Sequence, residues 1–376
     1  MKKLRVGILF GGKSCEHEVS LLSAKNVIDA LDKEKYEPIL IGIDKTGTWH
    51  IKDPLQYLMN AHDPKQIQLH GPSNNIAIAP QEGPGSFLHT ASPSSTSVDV
   101  IFPVLHGSYG EDGTIQGLLK IANIPFVGAD VLGSAIGMDK DVVKRLLKES
   151  GIDTAKCIVL RKCEKDLFSY EEIVQKIGLP FFIKPANAGS SVGVAKVKKE
   201  ADFIPAITQA FLYDKKILLE EYIEGREIEC SVLGNDHPIA SLPGEIIPHH
   251  EFYSYEAKYL DDLGATLEVP AKLDLATSKN VQETAIQVFQ VLCCEGMARV
   301  DFFLQKSGRL VVNEINTIPG FTKISMYPKL WQVSGLSYTD LLDRLIHLAL
   351  DRHSQELQIQ TEYQSITTLN PESLIT

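Results

Sequence analysis

An α/β domain followed by two α+β units is the architecture predicted by this chain of 376 residues, which is too long for one ordinary core. Three observations carry that prediction: a βαβ opening, a middle stretch of short strands and capped helices, and a strand-rich last third. Leu4 to Phe10 reads as a buried strand, Gly11-Gly12 open a loop, and the following helix carries Val19, Leu22, Val27 and Leu31. Tyr36 to Ile43 is a second strand, which makes the opening sheet parallel. Residues 60–97, rich in Pro, Gly, Ser, Asn and His without a sustained period, read as an inserted, loop-rich excursion. The strand Val98 to Leu105 then leads through His106-Gly107 into a helix from about Asp112, whose side chain is placed to cap it; this first domain spans 1–130.

The central unit, 131–220, begins with a helix from Met138 to Glu149, stopped by Gly151, and a strand at Cys157 to Leu160. Ser169 and Glu172 have capping-box spacing for another helix, which Gly178 ends. Phe181 to Lys184 is a strand, 187–193 a glycine-serine loop, and Val194 to Val197 the returning strand. From Lys216 the runs KILLEEYI, EIECSVLG and PIASLPGEII suggest a mostly antiparallel sheet. A polar loop at 248–264 and a helix at 277–294 join it to a hairpin around Ser307-Gly308. That last unit is expected to span 221–351, before a polar tail at 352–376.

The composition is that of a well-mixed globular protein, and a formal charge of −11 argues against duplex nucleic acid or an acidic membrane surface as partner. The six cysteines show no C-x-x-C spacing, and the N-terminus offers only a short apolar run, which together predict a reduced cytoplasmic protein without signal peptide or membrane span.

The sharpest chemical signal is the hairpin. A two-residue Ser307-Gly308 turn places Asp301 opposite Glu314 and Arg299 opposite Asn316, all on one face. Like charges facing across a ladder are unfavourable, so either a hard divalent cation or the Arg299 guanidinium should complete the site. The alternative is a charged face turned to water, and a longer turn would shift the register and separate the pair.

Ala188-Gly189-Ser190-Ser191-Val192-Gly193 joins two strands rather than a strand and a helix, which excludes Walker and Rossmann readings. It looks like a flap whose N–H groups and hydroxyls hold phosphate oxygens, with a plain hairpin loop as the alternative; Lys184 at the entering strand's end favours the flap. Glu16, at the carboxyl end of the first strand, suits a substrate ammonium or simply the start of a helix. His106 ends another strand of the same sheet and is either a site residue or a loop histidine satisfied by backbone. The loop 248–264 is long enough for a lid, while His249 and His250 lack the partners a zinc site needs. Gly320 allows a turn whose N–H faces a developing oxyanion, with Ser325 about one helical turn later.

Seven stretches appear in order: LFGGKSCEHEVSLLSA, LHGSYGEDGTIQG, MDK, FIKPANAGSSVG, YEAKY, ARVDF and NEINTIPGFT. Together they resemble the ATP-grasp ligases and, within them, the D-alanine–D-alanine ligases, from Leu4 to about Leu350. The resemblance implies a three-domain ATP-grasp architecture with an N-terminal open parallel sheet and ATP held between the central and C-terminal sheets. It implies ATP-driven joining of two D-alanines for the bacterial cell wall, with two Mg2+ ions that Mn2+ can replace, in a cytoplasmic homodimer.

Carried over residue by residue, Lys140, Lys184 and Lys258 resemble ATP phosphate contacts, with Ser191 in the flap. Glu220, Glu221 and Ile223 resemble the hinge at the adenine, and Glu227 the ribose partner. Asp301, Glu314 and Asn316 are similar to the metal ligands. Glu16 resembles the holder of the first D-alanine ammonium, with His106 lining that subsite and Ser325 contacting the second carboxylate. Arg299 and the Gly320 N–H resemble the groups that stabilise the tetrahedral intermediate. Ser190, Tyr259 and Glu16 correspond to a hydrogen-bonded set linking flap, lid and N-terminal domain.

Within the same fold the rival is a D-alanine–D-lactate ligase, against which Tyr259 argues. A non-catalytic ATP-binding regulatory protein is a further alternative, opposed by the complete set Lys140, Lys184, Arg299, Asp301, Glu314 and Asn316. A nicotinamide dehydrogenase, suggested by the opening βαβ unit, is a poor match because no G-x-G-x-x-G follows the first strand.

Overall fold

The structure, a computed structural model, describes residues 2–360 apart from 62, 64, 72–73, 81–82, 93, 165–168 and 250–263. Lys258, Tyr259 and His250, most of the lid and the end of the tail therefore lie outside the described residues.

The opening βαβ unit forms as its pattern dictates: β1 (Leu4–Gly11), α1 (His17–Ala30) and β2 (Tyr36–Ile43), with β1 and β2 parallel. An antiparallel strand β3 (Trp49–Lys52) follows, then a small two-stranded ladder of β4 (Leu58–Met59) and β5 (Gln68–Leu69). Here the expectation of a loop-rich insertion is corrected. β6 (Asn74–Ile78), β7 (Ser86–His89) and β8 (Ser95–Ser97) form an antiparallel meander that adds to the edge of β3. These strands are polar and short, and β3 supplies the edge that orders them, so no local period announces them. With β9 (Val100–Val104) the sheet runs β8-β7-β6-β3-β2-β1-β9.

The next helices are α2 (Thr114–Ile121), α3 (Val131–Met138) and α4 (Lys140–Glu149). Gly113, at φ 87, takes the cap position of α2, although Asp112 still accepts from the Thr114 N–H at 3.0 Å. The helix expected from Met138 to Glu149 is α4, which starts two residues later: Met138 ends the preceding α3, and Asp139 caps α4 by accepting from the N–H groups of Asp141 and Val142. β10 (Cys157–Arg161), α5 (Tyr170–Ile177), β11 (Phe181–Pro185), β12 (Ala195–Val197), α6 (Glu200–Ala210) and β13 (Lys216–Glu221) make an antiparallel sheet ordered β10-β13-β11-β12. Ser169 and Glu172 form the expected capping box on α5. The run KILLEE, read as part of the last sheet, belongs to this one instead, between β10 and β11.

The last sheet is antiparallel and contains β14 (Arg226–Gly234), β15 (Ile239–Ala240), β16 (Gly244–Pro248) and β17 (Ala265–Glu268), followed after α7 (Leu275–Val291) by β18 (Gly296–Leu304) and β19 (Leu310–Asn316). One face packs α7 and α4 through Val143, Leu147, Val281 and Phe289. The chain ends in α8 (Met326–Val333) and α9 (Tyr338–Glu356), so the helix continues past residue 352. α8 and α9 pack against the first sheet: Tyr327, Trp331, Leu341, Leu345 and Ile346 share one core with Val6, Ile8, Phe10, Val100 and Phe102. The central unit has its own core, built on Phe181, Ile183, Phe203 and Leu219. Among the described residues no helix is long and apolar enough to cross a membrane.

Candidate active site

Two cavities meet between these units. One is lined by Glu16, His106, Glu111, Arg299, Gly320 and Ser325, the other by Lys140, Lys184, Ser191, Glu220, Glu221 and Glu227, and both are walled by Gly189 and Glu314. Such clefts between units are the usual place for ligands.

The hairpin of β18 and β19 brings Asp301 opposite Glu314 and Arg299 opposite Asn316, but not through a two-residue turn. Gln305 and Arg309 close a longer loop, with Gly308 at φ 85, which shifts the ladder by one residue. A bulge between Asp301 and Phe302 shifts it back by inserting Asn313. The two irregularities cancel, so the expected pairing survives a turn of unexpected length.

The Arg299 guanidinium grips Asp301 with two hydrogen bonds of 2.7 Å and lies 2.9 Å from a Glu229 oxygen, while Asn316 donates to Asp301 at 3.0 Å. Glu229, Asp301 and Glu314 thus form one row across three strands, with the cation set between its first two members. Glu229 was legible in principle, because Glu227, Glu229 and Ser231 alternate along β14. Among the described residues no three His, Cys, Asp or Glu converge as a ready-made metal centre. The donors present still suit a hard cation that draws its remaining ligands from phosphates and water: Glu314 and Asn316 line a cavity, and Asp301, opposite Glu314 in the ladder, could join them once released by Arg299.

In the second cavity Lys184 donates to Glu220 at 2.6 Å and lies 3.5 Å from the amide oxygen of Asn313. Lys140 donates to the Ala188 carbonyl at 2.8 Å and sits 3.4 Å from Glu314. Glu221 accepts from the Lys156 N–H at 2.8 Å, and Ile223 is buried against Ala155 and Val311. Phe182, Tyr222 and Phe303, which the sequence reading missed, supply the apolar walls of a slot between the central and C-terminal sheets. Phe182 and Lys184 occupy alternate positions of β11, so the same period that placed the lysine would have placed the ring.

The flap is pinned from three sides. Asp214 accepts from both the backbone and side-chain N–H of Asn187, Lys140 holds Ala188, and the Ser190 hydroxyl donates to Glu16. Ser190 and Ser191 take consecutive left-handed conformations, φ 49 and 59, which cost about 1 kcal/mol or more each for side-chain-bearing residues. The contacts that hold the strand-to-strand flap over the cavities offset that cost.

The turn bearing Gly320 is held by the N-terminal domain. His106 bonds the Ile318 carbonyl at 3.1 Å through one ring nitrogen and Ser23 at 3.1 Å through the other, and Ser23 accepts from the Phe321 N–H at 3.3 Å. Burial holds His106 down at about 4, so the ring is neutral at pH 7. It is therefore both a wall of the cavity and a clamp on backbone. A Cβ on Gly320 would come within 2.7 Å of the Ser325 hydroxyl, so a side chain there would displace that hydroxyl. Ser325 itself accepts from the Thr322 N–H at 2.9 Å.

Glu111, in the glycine-rich stretch that follows His106, is a wall residue that the sequence does not single out. Its carboxyl accepts from the Gly107 N–H at 2.6 Å; burial, with the negative field of Glu16, pushes it up to about 8 against the opposing backbone donors. The folded protein thus binds a proton that the unfolded chain releases near its ordinary value of 4.5, so the contribution to stability is full below that value and disappears as pH rises through about 8. Glu111→Gln should flatten the decline in melting temperature between pH 6 and 9; an unchanged slope would show that Glu111 is ionised throughout.

The comparisons with known proteins agree along nearly the whole chain. The family model described as D-ala D-ala ligase N-terminus matches residues 5–129, and that described as D-ala D-ala ligase C-terminus matches 146–347. A D-alanine--D-alanine ligase of Oceanobacillus iheyensis is 54% identical over 362 residues, covering 96% of this chain and 99% of its own. The solved D-alanine-D-alanine ligase of Coxiella burnetii superposes with a TM-score of 0.82 at 39% identity, over 95% of this chain and 97% of that one. The VanG D-Ala:D-Ser ligase of Enterococcus faecalis does so with 0.80 at 36% identity, over 93% and 100%. On these matches and the paired cavities, the chain belongs to the D-alanine–D-alanine ligase family, with its ATP-grasp fold.

Proposed function

We propose that the chain joins two D-alanines through a D-alanyl phosphate, with one cavity for ATP and the other for the amino acids. ATP-dependent D-alanine–D-alanine ligation is the activity of the family to which it belongs. The observation that carries the residue assignment is the common wall: Gly189 and Glu314 border both cavities, so a terminal phosphate and a substrate carboxylate can meet there.

The adenine sits between Phe182, Tyr222, Ile223 and Phe303, with Glu220 and Glu221 along its edge and Glu227 at the ribose. Lys140, Lys184, Lys258 and the flap at Ser191 take the phosphates. Asp301, Glu314 and Asn316 would hold two Mg2+ ions, or Mn2+, whose role is to neutralise charge on the terminal phosphate. Glu16 holds the first D-alanine ammonium in the subsite lined by His106, and the carboxylate of that D-alanine displaces ADP from the terminal phosphoryl group. The amine of the second D-alanine, whose carboxylate meets Ser325, then attacks the acyl carbon and expels phosphate. Arg299 and the Gly320 N–H hold the charge that develops on oxygen. The flap, latched by Ser190 on Glu16 and completed by Tyr259, keeps water from the acyl phosphate. We place the reaction in the synthesis of a peptidoglycan precursor, in the cytoplasm, with the enzyme as a homodimer.

ADP release with Mg2+ and D-alanine, compared with mixtures of D-alanine and D-lactate or D-serine, tests this directly. D-Alanyl-D-alanine is the expected product at neutral pH. A depsipeptide or D-alanyl-D-serine as main product would overturn the acceptor assignment, and ADP release indifferent to D-alanine would overturn the ligase reading.

A further inference from the structure

Behind Glu220 lies a buried lysine that no step above uses. Lys144 borders neither cavity, its side chain is 5% exposed, and it lies 2.8 Å from one Glu220 oxygen, while Lys184 takes the other at 2.6 Å. Lys144 stands one helical turn after Lys140 on α4, so a single helix sends one ammonium to the flap and a second to the rear of the nucleotide cavity.

We infer that Lys144 is a positioning residue which shares Glu220 with Lys184, so that Lys184 faces the cavity with its charge incompletely cancelled and is able to leave for a nucleotide phosphate. This rests on the nucleotide reading of that cavity. With Lys184 and Glu220 alone, the buried pair would be neutral, and moving the ammonium towards a phosphate would strand a carboxylate inside the protein. Two lysines on one glutamate leave one net positive charge, and Glu220 keeps a partner whichever way Lys184 turns. Asn313, 3.5 Å from the Lys184 ammonium and part of the cavity wall, marks the direction of that turn. Burial opposes both charges, yet the ion pairs prevail: Lys184 is raised and Glu220 lowered from their ordinary values.

The test is a kinetic cycle on the full chain, following ADP release with separate KM values for ATP and D-alanine in Lys144→Met, Glu220→Gln, the double variant and Lys184→Met. Lys144→Met should raise KM for ATP about tenfold and leave that for D-alanine within about twofold, whereas in the Glu220→Gln background the same change should add less than about twofold. An equal effect in both backgrounds, or an unmoved KM for ATP in Lys144→Met, overturns the inference. Should Lys144→Met fail to fold, Glu220→Gln and the double variant still decide it: they should agree in KM for ATP, and a gap above about fivefold is fatal. Lys184→Met separates the two ideas. If it leaves KM for ATP unchanged, the nucleotide reading itself fails; if it raises KM while Lys144→Met does not, only the role of Lys144 fails.

Discussion

Replacing Arg299 with Met is expected to lower turnover by roughly 10²–10³, the usual consequence of losing one preorganised donor to a developing oxyanion. The same change should weaken the fold. Arg299 stands between Glu229 and Asp301, whose side chains are 10% and 13% exposed, and without it these carboxylates face each other across the ladder. Breaking such a buried pair costs about 3–5 kcal/mol, visible as an earlier denaturant midpoint. Arg299→Lys keeps a charge but not the two-pronged grip on Asp301, so it should restore much of the stability and less of the turnover. Arg299→Met with turnover within a few-fold of the parent would remove the guanidinium from the chemistry.

Asp301→Asn tests the metal assignment separately. It leaves Arg299 its 2.9 Å contact with Glu229 but sets an amide N–H2 against donors that the carboxylate now accepts from, so the free protein should lose some stability, less than in Arg299→Met. Turnover in Mg2+ should nevertheless fall roughly 10²-fold or more, since even outer-shell partners of a metal are worth 10–100-fold. The rise in melting temperature caused by ATP with Mg2+ should shrink towards that caused by ATP alone. Near-normal turnover would show that Asp301 holds no metal.

The carboxylate pairing was legible, but for an incomplete reason. Alternation and a Ser-Gly signal fixed which residues share a face, whereas the lengthened turn and the compensating bulge at Asn313 depend on how β19 packs and leave no local mark. Glu229 escaped because its role emerges only once β14 is known to lie beside β18. The start of α4 at Lys140 could have been read, since an aspartate before a charged, amphipathic turn is a helix-start signal. The KILLEE run could not, because its partners β10 and β11 lie far upstream. The meander of β6 to β8 is likewise tertiary in origin, its few apolar residues gaining their order from Trp49 and Phe87, whose rings stack 6.3 Å apart. Lys144 sits in plain view beside the MDK motif, but a lysine on a helix ordinarily points to water, and only the carboxylate behind it makes it otherwise.

The joint core of the first sheet and the last helices has a consequence for how the polypeptide is made. Tyr36 and Lys35 bond Asp343 across 307 and 308 positions, and Arg352 reaches back to the carbonyls of Phe126 and Gly128. During synthesis the N-terminal strands emerge early and their apolar side must wait, uncovered, until the final helix leaves the ribosome. The central unit, with its separate core, is free to settle in the meantime, so the order of translation and the order of consolidation run in different directions.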